Sequence, residues 1–197
     1  MNLIGSHDVP RVLSALAEAI PLDFPAEEKE AIPLKRLKLL TLWQMTFPGV
    51  PCVYYGDEAG MTGGDDPMNR GPYPWGCENN DLLAWYRTVI GLRNRYDVLG
   101  TGEWFSFALE NNVYGYVRSI TDGCDRFGRP KQDNTALLLF NRDLVKECTV
   151  TVDCGAWGIE RLYDVLDNER EVKVAGGILR LSLRPLEGKI LAQNVQR

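Results

Sequence analysis

Histidine is almost missing from this chain: one, His7, stands among 197 residues. Zinc sites are built from sets of Cys and His at short, repeated spacings. The five cysteines, Cys52, Cys77, Cys124, Cys148 and Cys154, are an odd number without such pairing. No metal site and no cofactor is therefore expected, and the thiols read as the reduced ones of a cytoplasmic protein. Basic residues are outnumbered, 22 to 27, and form no run. That argues against nucleic acid as a partner. No apolar stretch approaches the ~20 residues of a membrane span, so no membrane partner is expected. The opening MNLIGSHD has neither the basic region nor the apolar run of a secretory signal. Repeats and low-complexity segments are missing too.

What is present begins with enough apolar residues, 45%, to bury a core in one large domain or two small ones. The first half alternates strand-like and helix-like segments. Residues 1–4 are a short apolar run before Gly5-Ser6. Residues 10–20 and 33–47 read as helices around an acidic, proline-bearing loop at 21–31. Pro33 suits a first helical turn and Pro48-Gly49 a stop. The second helix has a broad apolar side, with Leu34, Leu37, Leu40, Leu42, Trp43 and Met45, as a helix lying on a sheet would. Residues 50–55 read as a strand. The Gly/Asp/Pro-rich stretch that follows, to Asn79, is of a length that in compact domains is functional or disordered. Residues 80–96 form the clearest helix: Leu82, Trp85, Tyr86, Val89 and Arg93 share a side, behind Asn79 or Asn80 as cap.

The texture changes near Val98. Residues 103–108, 113–119, 135–141, 149–153, 161–166, 171–174, 178–183 and 189–193 are short strand candidates between turn residues. Leu179, Leu181 and Leu183 alternate with Arg180, Ser182 and Arg184, one face in and one out. Residues 135–140 are nearly all apolar, as in a strand covered on both faces. Many short strands without helices predict an antiparallel sandwich. The expected domains are 1–97 and 98–197. Residues 123–133 read as a polar, mobile hairpin loop, and Trp85, Trp104 and Trp157 as core.

Two motifs carry chemistry. The first is Asn2-Leu3-Ile4-Gly5-Ser6-His7-Asp8-Val9-Pro10-Arg11; the second, GVPCVYYGDEAGMTGGDDPMNRGPYPW, occupies residues 49–75. In this order, about forty residues apart, they resemble the seventh and eighth strand segments of the α-amylase superfamily, most of all in neopullulanases, cyclomaltodextrinases and maltogenic amylases. The resemblance implies an α/β plus all-β fold: the C-terminal end of a (β/α)8 TIM barrel over 1–97, followed by an antiparallel β-sandwich over 98–197. Active sites of such barrels lie at the C-terminal ends of the strands.

By that resemblance Asp8 is a catalytic residue, the transition-state stabiliser. It holds hydroxyls of the sugar at the cleavage point, and His7 donates a hydrogen bond to the same sugar. A fixed anion beside a positively charged transition state stabilises charge as it develops. The family has Thr where this chain has Val9. Asp66 and Arg70, at the family's spacing, imply binding of glucose units on the non-reducing side. The rigid donors of Arg and the acceptors of Asp suit hydroxyls; the alternative is a surface salt bridge between the two, which is compatible with facing a sugar. Many relatives carry a second Arg where this chain has Gly71. Asp57 and Glu58 look like a catalytic pair, but the family uses this position to support the eighth strand. Glu103, in Gly102-Glu103-Trp104, imitates the family's acid motif but trails His7-Asp8, so it reads as an ordinary strand residue. Tyr54, Tyr55, Tyr73 and Trp75 could stack on sugars or simply pack.

Retaining glycosidases use two carboxyl groups ~5 Å apart, a nucleophile and an acid. In the family both precede the His-Asp motif. The expectation is therefore the C-terminal part of a retaining α-glucan hydrolase, cleaving α-1,4 and α-1,6 bonds in the intact parent and inactive alone. Its expected partner is an α-glucan or maltooligosaccharide, with homo-oligomerisation left open. The alternatives are another family enzyme (α-amylase, oligo-1,6-glucosidase or glucanotransferase) and a stand-alone glycan-binding β-sandwich.

Overall fold

The computed structural model describes the whole chain except Leu22, Ala108, Glu110, Asn111 and Arg197, and except the side chains of Ala26 and Glu28. The chain divides into two compact units, Met1–Gly91 and Leu92–Arg197.

The first unit starts with strand β1 (Asn2–Leu3), which pairs in parallel with β2 (Pro51–Cys52). Three helices lie between them: α1 (Val12–Glu18), α2 (Ala26–Lys29) and α3 (Ala31–Thr46). A fourth, α4 (Asn80–Arg95), follows the long loop. Parallel strands need such a crossover, because a tight turn cannot reverse the chain twice. Both strands are shorter than the apolar runs 1–4 and 50–55 suggested. Each has a partner on one side only within its sheet, and the ladder spans two register positions, Asn2↔Pro51 and Leu3↔Cys52. Side chains satisfy backbone groups that a wider sheet would pair. The buried amide of Gln44 in α3 donates to Asn2 O (2.9 Å) and Cys52 O (3.0 Å). The Asn2 amide donates to Pro48 O at 3.0 Å.

The core of this unit joins Val12, Leu37, Leu82 and Tyr86, from α1, α3 and α4, with Ile4 and Val53 packed against them. Pro33 sits in the first turn of α3, as the sequence suggested. At α4, Asn79 is the cap: its Oδ1 accepts the N–H of Leu82 at 3.0 Å. The loop expected at 21–31 contains the single-turn α2, too short for periodicity to announce. Trp85 is half-buried rather than core. Its indole N–H reaches Lys38 O at 3.0 Å, which holds the ring's polar edge near the surface.

The second unit opens with the short helix α5 (Asp97–Thr101) and continues with eight strands. They are β3 (Glu103–Phe107), β4 (Val113–Ile120), β5 (Asn134–Asn141), β6 (Cys148–Asp153), β7 (Arg161–Asp164), β8 (Arg170–Ala175), β9 (Ile178–Leu183) and β10 (Gly188–Ala192). All eight correspond to strands expected from the sequence; Ala108, the expected end of the first, lies outside the described residues. They form one antiparallel sheet in the order β3-β4-β5-β10-β7-β8-β9-β6. The sheet curls, so that Val113, Val117, Leu137 and Leu139 of β4 and β5 share a core with Val150, Val152, Leu179 and Leu183 of β6 and β9. That is the sandwich-like packing expected of an all-β half. Every residue of β5 is buried, which explains its continuous apolar run.

Arg118, fully buried, donates to the carbonyls of Leu99 (2.8 Å), Gly102 (2.8 Å) and Glu103 (3.3 Å), closing the end of α5. Burial pulls its pKa down to about 10. Trp104 and Trp157 are again half-buried rather than core. The loop at 123–133 carries several internal hydrogen bonds and an ion pair. Asp125 Oδ1 accepts the N–H groups of Phe127 (2.9 Å) and Arg129 (3.0 Å), and Lys131 pairs with Asp97 at 2.6 Å.

Candidate functional site

His7 and Asp8 lie a few residues after β1, on a turn in which Asp8 N–H donates to Ser6 Oγ at 3.2 Å. His7 Nε2 lies 3.1 Å from Asp8 Oδ1, with the two side chains 60% and 73% exposed. Asp8 therefore stands open to a ligand, held by its backbone and by one neighbour.

Behind it lies a buried layer. Arg11, at the start of α1, turns its guanidinium inward under Tyr54 and Tyr55, whose ring centroids lie 4.2 and 4.6 Å from Cζ. Nη1 donates to the carbonyl of Tyr55 and to Asp57 Oδ1, the latter at 3.2 Å. Both members of the Arg11–Asp57 pair are fully buried. Burial pushes the Asp57 carboxyl up to about 6 and the charge of Glu58 adds to this, while Arg11 opposes it. Gly5 makes room for this carboxylate, since a Cβ there would collide with Asp57 Oδ2. Asp57 is thus a support beneath the strand ends, not half of a catalytic pair.

The backbone is sewn in the same place. Arg11 N–H donates to Gly63 O, and Gly63 N–H to Ser14 Oγ, both at 2.9 Å. Gly63 also lies against Met68 O, where any Cβ would clash. The chain then makes a 3-10 turn over Met68–Arg70. Arg70 Nη2 meets Asp66 Oδ2 at 2.9 Å, four residues back, with both side chains substantially exposed. The two side chains form a salt bridge and remain open to solvent. Between them Asn69, 1% exposed, donates its amide to His7 O (2.9 Å) and Val9 O (3.0 Å). The two motifs are joined there. Sequence reasoning did not single out Asn69 or assign Arg11 a task. The available signal was a polar residue between two binding candidates and an Arg three positions after His-Asp.

Among the aromatics, Tyr55 donates its hydroxyl to Gly71 O at 2.8 Å and Tyr54 to Asn69 O at 3.4 Å. Both brace the loop. Trp75 is 82% exposed, with its ring tilted against Tyr73 at 4.5 Å between centroids. Glu103 lies in β3 of the second unit with its carbonyl on Arg118, an ordinary strand position. No cluster of three or more metal-ligating side chains occurs among the described residues. Nor does any described helix have the length and apolarity to cross a membrane.

Residues 1–88 match the family described as "Alpha amylase, catalytic domain". Over 151 residues the chain is 38% identical to an amylopullulanase of Thermoanaerobacter thermohydrosulfuricus, covering 76% of this chain and 10% of that protein. Over 194 residues it is 33% identical to neopullulanase 2 of Thermoactinomyces vulgaris, covering 96% and 28%. The crystal structure of an Anoxybacillus α-amylase overlays with a TM-score of 0.75 at 22% identity, covering 94% of this chain and 36% of the other. The chain belongs to the α-amylase superfamily. It spans about a tenth to somewhat over a quarter of the length of these curated relatives.

Proposed function

We propose that this chain supplies the non-covalent part of the active site of a retaining α-glucan hydrolase of the neopullulanase and cyclomaltodextrinase kind. Asp8 stabilises the oxocarbenium-like transition state and His7 donates to the same sugar. Asp66 and Arg70 hold glucose units on the non-reducing side. The nucleophile and the acid come from outside this chain. The observation that carries the reading is the Asn69 link, which joins the His7-Asp8 turn to the Asp66–Arg70 turn across about sixty residues of sequence. The substrate is an α-glucan or maltooligosaccharide with α-1,4 and α-1,6 bonds; the names of the matched relatives, amylopullulanase and neopullulanase, favour this choice. A cytoplasmic location remains part of the proposal.

Two outcomes test it. The chain alone, incubated with cyclomaltodextrin, pullulan and an aryl maltoside, should release no sugar, because neither reacting carboxyl group is present. Turnover in the enzyme range, ~1–1000 per second, would remove the assignment of roles. In an active enzyme containing this chain, Asp8→Asn should lower kcat by about 100- to 1000-fold, as loss of a transition-state stabiliser does. Asp66→Ala should chiefly raise KM, because it binds a remote sugar already in the ground state. Kinetics on maltotriose with the reverse ranking would overturn the assignment.

A further inference from the structure

We propose that Asn69 is a positioning residue for Asp8, fixing the direction of its carboxylate through the backbone on either side. The inference rests on the role given to Asp8 above. The Asp8 side chain is 73% exposed, and among the described residues its carboxylate pairs with His7, so its backbone is the main means of aiming it. That backbone is held at two points by one side chain: the Asn69 amide donates one hydrogen to His7 O and the other to Val9 O, bracketing Asp8. The orientation of the amide is set chemically. Two carbonyl oxygens require the NH2 end, and a flipped amide would turn Oδ1 against them. Asn69 is itself fixed. It is buried, its carbonyl accepts the Tyr54 hydroxyl, and its turn packs on Gly63. It also adjoins Arg70, so the residue that sets Asp8 shares a single turn of backbone with the Asp66–Arg70 pair. Hydrogen bonds from a rigid, buried donor are the means by which proteins hold a reactive group within a fraction of an ångström.

The test uses the full chain without substrate, so it stands or falls separately from the kinetic ranking. His7 is the only histidine, and its imidazole Cε1–H gives one NMR signal that senses the Asp8 carboxylate beside it. Asp8→Asn defines the position of that signal with the pair broken. Asn69→Ala, and the isosteric Asn69→Asp, which lacks both donors, should each move the signal at least halfway to that position. Val89→Ala, a buried change in α4 away from the turn, should leave the signal where it is in the unaltered chain. The proposal is overturned by an unmoved signal in both Asn69 variants, or by an equal shift in Val89→Ala. An Asp8→Asn signal identical to that of the unaltered chain would also overturn it, because the pair would not exist. So would loss of the first unit's dispersed amide signals in both Asn69 variants, which would make Asn69 a residue of folding rather than of positioning.

Discussion

Two pairs of strands show how differently the two units are held. In the second, β4 and β5 are joined over eight register positions, from Val113↔Asn141 to Ile120↔Asn134. In the first, β1 and β2 are joined over two. The long ladder meets its own hydrogen-bonding needs, and its buried polar side chains, Arg118, Asn134 and Asn141, serve carbonyls outside it. The short ladder leaves backbone groups that Asn2, Gln44, Arg11 and Asn69 must satisfy. Both units bury polar side chains, but in the first they hold the strand ends and loops on which the candidate site is built. The short strands of the first unit lead into the loops of the candidate site, and buried amides and one buried ion pair fix those loops in place.

The largest consequence of this contrast is physical autonomy. The pair β1–β2 has open edges, and Met1, Leu3 and Val50 beside them are exposed. Open edges and apolar patches promote association. The isolated chain should self-associate through its first unit while the curled sheet stays folded. Size-exclusion chromatography combined with limited proteolysis would show oligomers and a resistant fragment from the second unit. A strictly monomeric, uniformly resistant chain would erase the contrast.

The units should next respond to pH in opposite directions. The folded carboxyl of Asp57 is raised from 3.8 to about 6, mainly by burial. A raised carboxyl contributes stability that is complete below about pH 4 and is lost as pH rises through about 6. The shift of about two units corresponds to at most about 3 kcal/mol. Asp143, in the second unit, is lowered to about 2, first by the N–H groups of Val145 and Lys146. Its contribution is present above about pH 4 and is lost as pH falls through about 2. Unfolding of each unit followed from pH 3 to 7 should show the first weakening as pH rises, and Asp57→Asn should flatten that slope. Equal slopes in the variant and the unaltered chain would count against a burial-raised carboxyl.

The smallest effect concerns the α4 cap. Asn79→Ala removes the acceptor for Leu82 N–H and should cost about 1 kcal/mol. The loss should appear only in the unfolding transition of the first unit. A loss in both transitions would mean that α4, whose last residues belong to the second unit, couples the two.

The sequence was most readable where local pattern and final packing agree. The eight strands of the sheet announced themselves through turn residues and alternation, and β5 through its unbroken apolar run. The strand β2 was read too long, because apolar residues mark where a strand can form and not where its pairing ends, and the run before Gly5 was too short to be assigned by pattern. The helices α2 and α5 are too short to show a period. At the site, His7, Asp8, Asp66 and Arg70 were visible as motif residues, but the clamp between them was not. Asn69 acts on carbonyls sixty positions away, and a carbonyl leaves no trace in a residue's identity. The tryptophans misled for a related reason: size suggested burial, while the indole N–H of Trp85 drew its edge toward the surface.

The Gln44 amide bears on how the chain tolerates insertions and deletions. It reaches one carbonyl on each strand, Asn2 O and Cys52 O, so the rotational phase of α3 is tied to the sheet edge. Each helical residue turns the side chains by about 100°. A residue inserted between Ile32 and Gln44 would swing the amide away from both carbonyls and carry Leu37 out of phase with it. The same residue inserted into the loop before α2 changes only its length, at a small entropic cost. Length variation in this part of the molecule should therefore collect ahead of α3, with the spacing from Ile32 to Gln44 kept constant.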